Sequence, residues 1–201
     1  MNIENQSQLR ELYGYPSDRA KNKVLNSLEK HSKHFIEHSP FIVISTSDNS
    51  GNMDASPRGG EAGFVKITNS NEIIIPDFKG NNRIDSLSNI LENKSIGLLF
   101  FIPGIDETLR INGRAKISTA TKYLNLFTVD NRLPTSCILV SINEVFLHCA
   151  KAFMRSKLWD KNAQINPSEF PTMSEMLKDQ LGLSGKVESR KDMIERYQKD
   201  I

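Results

Sequence analysis

Hydrophobic and polar positions follow a helical period near the start of the chain. Residues 18–38 predict an amphipathic helix, which Ser17 or Asp18 can cap. The apolar side chains that recur at helical spacing in this segment are Val24, Leu25, Leu28, Phe35 and Ile36. Pro40 ends the helix and precedes the first apolar strand, so residues 1–39 form a predicted N-terminal helical segment.

A series of short apolar segments follows, separated by turn residues, and this arrangement predicts strands. The predicted strands lie in the segments FIVIST, MDASPRGGEAGFVKI, EIIIP, IGLLFFIPG, TLRINGRAKI and SCILVSINEVFLHC, and short helices in IDSLSNILEN and TKYLNLF. Such closely spaced strands favour an α+β fold, a mostly antiparallel barrel with helices at both ends. We assign the barrel to residues 40–160. A C-terminal helical extension, packed on the same domain, covers residues 161–201 and contains the capping box Thr172–Glu175 and a stop at Gly182.

The segment TLRINGRAKI has the most regular alternation in the chain. Apolar or small residues at 109, 111, 113, 115 and 117 alternate with the polar residues Arg110, Asn112, Arg114 and Lys116. Since successive strand residues point to opposite faces, one face is apolar and the other is basic. The simplest interpretation is a half-exposed strand with solvated cations, and the alternative is a basic surface that binds single-stranded nucleic acid.

Composition and charge narrow the class of protein. Of 201 residues, 26 are basic and 24 acidic, a net charge of +2, which gives no reason to expect nucleic acid or an anionic membrane as the main partner. The N-terminal residues lack the apolar core of a secretory signal, and no segment approaches the roughly 20 apolar residues of a membrane span. We therefore expect a cytoplasmic protein in which Cys137 and Cys149 are reduced, buried thiols.

The chain carries none of the common catalytic motifs: no GxSxG, P-loop, GxGxxG, HExxH or CxxC sequence is present. His31, His34 and His38 lie close together, but no carboxylate or cysteine motif accompanies them, so surface or half-buried histidines are expected rather than a metal site. If the protein is an enzyme, a cofactor therefore supplies the difficult chemistry.

The stretch PDFKGNNRIDSL has the properties of an anion site. Pro76 ends an apolar strand, and Arg83 directly precedes an apolar helical pattern. The start of a helix has unpaired N–H groups that attract anions. Arg83 would supply the charge, and the side chains that could add neutral donors are Asn81, Asn82 and Ser86.

Other cationic residues are also close in sequence to small or aromatic residues. They lie in the segments Ser56-Pro57-Arg58-Gly59-Gly60, Arg110 with Arg114, and Lys151 with Arg155 and Trp159. The planar guanidinium of arginine suits phosphate, glycine allows close approach of the backbone, and Trp159 could provide a flat wall for an aromatic ring. Together these groups fit a phosphorylated aromatic ligand better than a simple anion.

Long stretches of the sequence resemble a known family. The segments DASPRGGEAGFVKI, EIIIPDFKGNNRIDSLSNILENKSIGLLFFIPGIDETLRINGRAKI and HCAKAFMRSKLW are similar to FMN-binding split-barrel proteins related to pyridoxamine 5′-phosphate oxidase. The resemblance is strongest to a bacterial subgroup of FMN-dependent proteins without a defined substrate. It extends from the helical pattern at residues 18–38 to about residue 182.

The resemblance implies a homodimer of six-stranded split β-barrels, with two FMN molecules at the subunit interface. The strand beside the flavin ring and ribityl chain corresponds to Ala55, Ser56, Pro57 and Arg58, and Pro76 and Asp77 would lie along the flavin. The phosphate would be held by Asn81, Asn82, Arg83 and Ser86. The candidates from the second subunit are Arg110, Lys151, Arg155 and Trp159.

The implied function is an FMN-dependent oxidoreductase that acts on an unidentified small organic substrate. The alternative is a non-catalytic protein that binds or stores flavin. Arg58 is a candidate donor near N1 and C2 of the flavin, where it would stabilise the anionic reduced ring. SPRGG stands where the vitamin-salvage oxidases carry Arg-x-x-Leu-Leu-Lys, and this difference argues against pyridoxamine phosphate as the substrate.

Overall fold

The computed structural model describes residues 2–128 and 132–198. Its internal contacts divide the chain into two units, Met1–Arg155 and Ser156–Ile201. The expected boundaries at residues 39 and 160, and the packing of the extension on the barrel domain, stay predictions. Residue 1 and residues 199–201, which the predicted terminal segments include, lie outside the described residues.

In the part of the chain that the structure describes, the first unit contains seven strands with helices before, between and after them. The strands are β1 Phe41–Ser47, β2 Met53–Gly59, β3 Lys66–Asn69, β4 Glu72–Asp77, β5 Ser95–Phe101, β6 Thr108–Ser118 and β7 Ser136–His148. The α-helices are α1 Gln6–Tyr13, α2 Asp18–Asn22, α3 Lys30–His38, α4 Asp85–Glu92, α5 Thr121–Leu124 and α6 Lys151–Ser156, which runs one residue beyond the unit. A 3₁₀ turn at Asn125–Phe127 follows α5.

All seven strands form one antiparallel sheet in the order β2-β1-β5-β6-β7-β4-β3. This confirms the α+β fold with an antiparallel sheet and flanking helices. The sheet has seven strands rather than about six because MDASPRGGEAGFVKI forms two strands, β2 and β3. These strands lie at opposite edges of the sheet, and the glycine-containing loop between them carries the chain from one edge to the other.

The predicted continuous helix at residues 18–38 is wrong. The Leu25 N–H donates to the Val145 carbonyl at 3.0 Å and the Val145 N–H donates back to Leu25 at 2.8 Å, so the chain is extended between α2 and α3. Ser17 does cap α2, as predicted, and Glu29 caps α3 by accepting two backbone N–H bonds. Pairing with β7 therefore outweighs the helical spacing of the apolar residues.

The core fills the concave side of the sheet. Its side chains come from alternating strand positions, among them Ile42 and Ile44 of β1, Leu98 and Phe100 of β5, Leu109 and Ile111 of β6, and Ile138 and Val140 of β7. Phe35 and Ile36 of α3 and Ile90 of α4 belong to the same buried cluster. Each of these helices therefore packs one apolar face against the sheet.

The opposite side of β1, β5 and β6 carries residues that are only half-buried. We call this surface the outer face, and it consists of Val43, Ser45, Gly97, Leu99, Phe101, Arg110 and Asn112. The predicted alternation of TLRINGRAKI is confirmed: Leu109 and Ile111 are buried, whereas Arg114 and Lys116 are exposed.

The second unit contains two 3₁₀ turns, Lys161–Ala163 and Pro167–Glu169, and two α-helices, α7 Met173–Leu181 and α8 Arg190–Tyr197. The predicted capping box is present, since Thr172 and Glu175 each accept a bond from the other's backbone N–H. Gly182 ends α7 in the left-handed conformation, as predicted.

The cysteine prediction is correct for one residue only. Cys137 is buried in β7, whereas Cys149 is exposed just after the end of that strand. Within residues 2–128 and 132–198, no group of three or more His, Cys, Asp or Glu side chains could hold a metal ion. No helix in the same residues combines the length and the apolar character needed to cross a bilayer.

A substitution at Gly113 tests the register of β6 and β7, the two longest strands. A Cβ at this position would lie 2.2 Å from the Ser141 carbonyl oxygen, at the point where the β6–β7 register shifts. We expect Gly113→Ala to lower the free energy of unfolding by about 1–3 kcal/mol, measured by urea denaturation. The control is Gly97→Ala, whose Cβ would meet ordinary contacts of 3.6 Å or more. Equal losses for the two variants would show that the close approach of Gly113 to Ser141 does not require glycine.

Candidate functional site

Two adjoining cavities lie between β2, β4 and the start of α4. The large cavity has a volume of about 540 Å³ and the small cavity about 230 Å³. They share four lining residues: Pro57, Arg58, Asn81 and Ile84. A ligand with two chemically different ends could therefore occupy both.

The Arg58 side chain points to the concave side of the sheet. Arg58 pairs with the buried Ile42 in the β1–β2 register, and directly opposite residues share a face. From there the Arg58 Nη2 reaches Asp77 Oδ1 on β4 at 3.4 Å. Its Nη1 donates to the Ser56 hydroxyl and, at 3.0 Å, to the Pro57 carbonyl oxygen.

Asp77 is the more unusual member of this ion pair. Its side chain is 18% exposed, and burial raises the pKa of the Asp77 carboxyl, while the charge and hydrogen bonding of Arg58 act against the rise. Burial also raises the pKa of the Cys137 thiol, and the nearby Asp77 charge raises it further. The thiol is therefore a neutral neighbour of the carboxyl.

Apolar side chains form much of the large cavity's wall. They are Pro57, Phe64, Pro76, Phe78, Ile84 and Leu87. Both prolines occupy positions that a sheet tolerates: Pro57 lies on the edge strand β2, and Pro76 lies beyond the last residue of β4 that pairs with β3. Such a wall suits a flat ring system, and the Thr135 and Ser136 hydroxyls add polar groups at one side.

The start of α4 opens on the small cavity. Ile84 is the N-cap residue and provides no side-chain hydrogen bond, so the first N–H groups of the helix have no acceptor from a capping side chain. Asn82 and Ile84 both have left-handed backbones, with φ of 61° and 53°. This conformation is rare for a β-branched residue and is a form of strain often found at ligand sites.

The charges around this helix start are mixed. Arg83 is 75% exposed, and its Nε donates to Asp85 Oδ2 at 2.8 Å, an interaction that raises the pKa of Arg83. Ser86 is buried and its hydroxyl donates to Asp54. An anion bound here would therefore compete with Asp85 for Arg83 and would find the Ser86 proton already engaged.

Ten of the fourteen predicted site residues line the two cavities. They are Ala55, Ser56, Pro57, Arg58, Pro76, Asp77, Asn81, Asn82, Arg83 and Ser86. Arg110 lies on the outer face, with its guanidinium 5.2 Å from the centre of the Phe146 ring. Lys151 and Arg155 are exposed on α6, and Trp159 is half-buried in the second unit.

The sequence interpretation missed several residues of the cavity lining. Asp54 and Phe64 lie near predicted residues in the chain, and Asp54 alternates with Ser56 and Arg58 along β2, which could have identified it. Thr135 and Ser136 carried no such signal. They reach the large cavity because Ser136 pairs with Asp77 and the Thr135 N–H donates to the Asp77 carbonyl oxygen at 2.9 Å.

Comparisons with known proteins place these features in context. The sequence profile described as pyridoxamine 5′-phosphate oxidase matches residues 28–149, more than half of the chain. No curated protein matches.

Similar solved structures include HupZ of Group A Streptococcus, with 18% identity, a TM-score of 0.48 and coverage of 60% of this chain and 93% of that chain. The FAD-binding protein of Mycobacterium smegmatis has 11% identity, a TM-score of 0.43 and coverage of 62% and 97%. A protein from Clostridium acetobutylicum related to general stress protein 26 has 10% identity, a TM-score of 0.45 and coverage of 59% and 85%.

The left-handed backbone of Ile84 predicts an unusual response to glycine. Left-handed geometry costs a non-glycine residue about 1–2 kcal/mol, so Ile84→Gly relieves strain while removing a side chain that is 59% exposed. We expect the free energy of unfolding of Ile84→Gly to equal or exceed that of the native protein. Leu91→Gly, at a 72% exposed helical position in α4, should lose about 1 kcal/mol. Urea denaturation compares the two, and equal losses would contradict the strain argument.

Proposed function

The chain belongs to the pyridoxamine 5′-phosphate oxidase family, and from this premise we propose that it is an FMN-dependent oxidoreductase acting on a small organic substrate. The observation that supports the proposal most strongly is the pair of adjoining cavities. One has proline, phenylalanine and aliphatic side chains among its polar lining residues, and the other lies at an uncapped helix start with an arginine beside it. A flavin ring and a phosphate require these two environments.

The small cavity suits the phosphate. The free N–H groups at the start of α4, the side-chain amide of Asn81 and the guanidinium of Arg83 are the available donors. Arg83 would exchange its bond to Asp85 for a charge-assisted bond to the phosphate. Asp54 and Asp85 oppose a dianion at this place, so the backbone donors and Arg83 must together outweigh two carboxylates.

The large cavity suits the ring. Its volume of about 540 Å³ falls within the usual range for cofactor pockets. Arg58 lines both cavities and can donate to the carbonyl edge of the flavin, where negative charge develops on reduction. Bound FMN would supply the two-electron chemistry, and the residues of this chain would orient it and stabilise charge.

A second copy of the chain would complete the site. The outer face is a broad sheet surface of half-buried side chains, with Val43, Leu99 and Phe101 as its apolar members. We assign the dimer contact to this face. The same proposal includes contacts from one chain to the FMN of its partner, made by Arg110, Lys151, Arg155 and Trp159. Such contacts would explain why these four residues do not line the two cavities of their own chain.

The flavin spectrum of the purified protein tests the proposal. We expect a yellow protein, or a colourless one that takes up one FMN per chain. Bleaching by NADH, NADPH or a reduced deazaflavin would identify a reductase. A flavin that no reductant and no organic donor reduces would favour the passive flavin-binding alternative. Failure to bind FMN at all would contradict both.

Arg83→Ala tests the phosphate contact. Losing a charge-assisted bond costs about 1.5–3 kcal/mol, so we expect FMN affinity to fall roughly 10- to 100-fold in fluorescence titrations. The matched control is Arg19→Ala, at an exposed position of α2 that does not line either cavity. Unchanged affinity in Arg83→Ala would remove Arg83 from the site.

Leu99→Lys tests the dimer contact. A charge at the centre of the outer face should be expensive to bury, and we expect sedimentation to detect a monomer where the native protein is a dimer. Thr68→Lys introduces the same charge at an exposed position on the edge strand β3 and should leave the mass unchanged. A dimer that survives Leu99→Lys would show that another surface forms the interface.

A further inference from the structure

The backbone of Asp77 is held at the large cavity by neighbouring strand residues, and its carboxylate forms a loose ion pair there. It is the last residue of β4, and its backbone pairs with Ser136 and accepts the Thr135 N–H. Within the described residues, the carboxylate of Asp77 forms one ion pair, its contact with Arg58 at 3.4 Å. Charge-assisted bonds between nitrogen and oxygen usually measure about 2.7–2.9 Å, so this contact is a loose one.

Arg58 is anchored in a way that allows it to turn from Asp77. Its Nη1 is bonded to the Ser56 hydroxyl and the Pro57 carbonyl, both on its own strand, and only Nη2 faces Asp77. Arg58 also lines both cavities. A ligand with an anionic or carbonyl group could therefore draw the guanidinium away from Asp77 without breaking its bonds to β2.

Few other charges act on Asp77. Among the residues that the structure describes, the remaining charged residue in the lining of the large cavity is Lys79, which is exposed. On β7, the neighbouring Cys137 carries a thiol whose pKa burial raises. Burial raises the pKa of Asp77, and Arg58 is the cation that opposes the rise. The ionised state of this carboxyl therefore depends on Arg58.

We propose that Asp77 is the proton-carrying residue of the large cavity and that Arg58, as its positioning residue, sets its charge. When Arg58 pairs with bound FMN, Asp77 takes up one proton from solvent. This inference rests on the proposed function, since FMN is the ligand that draws Arg58 away.

The stored proton has a use in the reaction. Two-electron reduction of an organic substrate also adds a proton to it, and the electrons come from the reduced cofactor. The O–H bond of Asp77 breaks, a bond forms between that hydrogen and a substrate oxygen or nitrogen, and the electron pair remains on the carboxylate. The carboxylate then takes up a new proton from solvent while Arg58 stays paired with FMN.

Calorimetric titration of the FMN-free protein with FMN measures the proton directly. Titrations in two buffers of different ionisation enthalpy, at equal pH, give the number of protons bound. We expect the native protein to take up more protons than Asp77→Asn, by up to one, while proton exchange by the phosphate of FMN cancels between them. Asp179→Asn, at an exposed position of α7, should behave as the native protein does.

Arg58→Gln provides a second comparison. Without the guanidinium, nothing opposes the rise in the pKa of Asp77 even before FMN is added, so FMN should cause less proton uptake in this variant than in the native protein. Equal proton uptake by the native protein and Asp77→Asn would overturn the inference. If neither protein bound FMN, the proposed function would fail instead, so the two failures are distinguishable.

Carbon NMR of the native protein covers the case in which Asp77→Asn does not fold. The titration midpoint of the Asp77 carboxyl should lie above that of an exposed aspartate and should rise further when FMN is bound. A midpoint that does not rise with FMN would also overturn the inference.

Discussion

The contact between Arg58 and Asp77 joins strands that four other strands separate in the sheet order. In a flat sheet, β2 and β4 would lie roughly 24 Å apart, since neighbouring strands are about 4.8 Å apart. No arginine spans that distance, so an atom separation of 3.4 Å requires the sheet to curl until its two ends meet. The cavities lie where they meet, and both the barrel and the site therefore depend on this closure.

Closure also explains the chemistry of the site. Bringing Asp77 next to the barrel interior removes part of its hydration, and the arginine from the opposite edge offsets that loss. The small cavity follows the same rule on a more open surface, where Arg83 balances Asp85 and Ser86 satisfies Asp54. In both places a ligand would have to share an arginine with one of the protein's own carboxylates. Under the proposed function, ligand binding would therefore compete for two guanidinium groups, and its strength would depend on pH and salt.

Local patterns predicted the parts of this arrangement that are local in origin. Alternation along TLRINGRAKI identified β6. The apolar strand followed by a helical pattern after Arg83 identified the helix start, although β4 continues through Pro76 to Asp77. Both patterns depend on neighbours in the chain. The 18–38 helix failed because Leu25 pairs with Val145, 120 residues away, and spacing carries no information about that bond. Thr135 and Ser136 were missed for the same reason. The ion pair between Arg58 and Asp77 could not be predicted from local sequence patterns because it depends on the curvature of the whole sheet.

The most direct test of the account compares FMN with riboflavin, which differs from it only by the phosphate. Fluorescence titration of the flavin-free protein should give one FMN per chain. FMN should bind at least about tenfold more tightly than riboflavin at low salt, and the difference should shrink as salt is added. Equal affinities for the two flavins, or binding of neither, would contradict the assignment of the small cavity to a phosphate and the large one to a flavin ring.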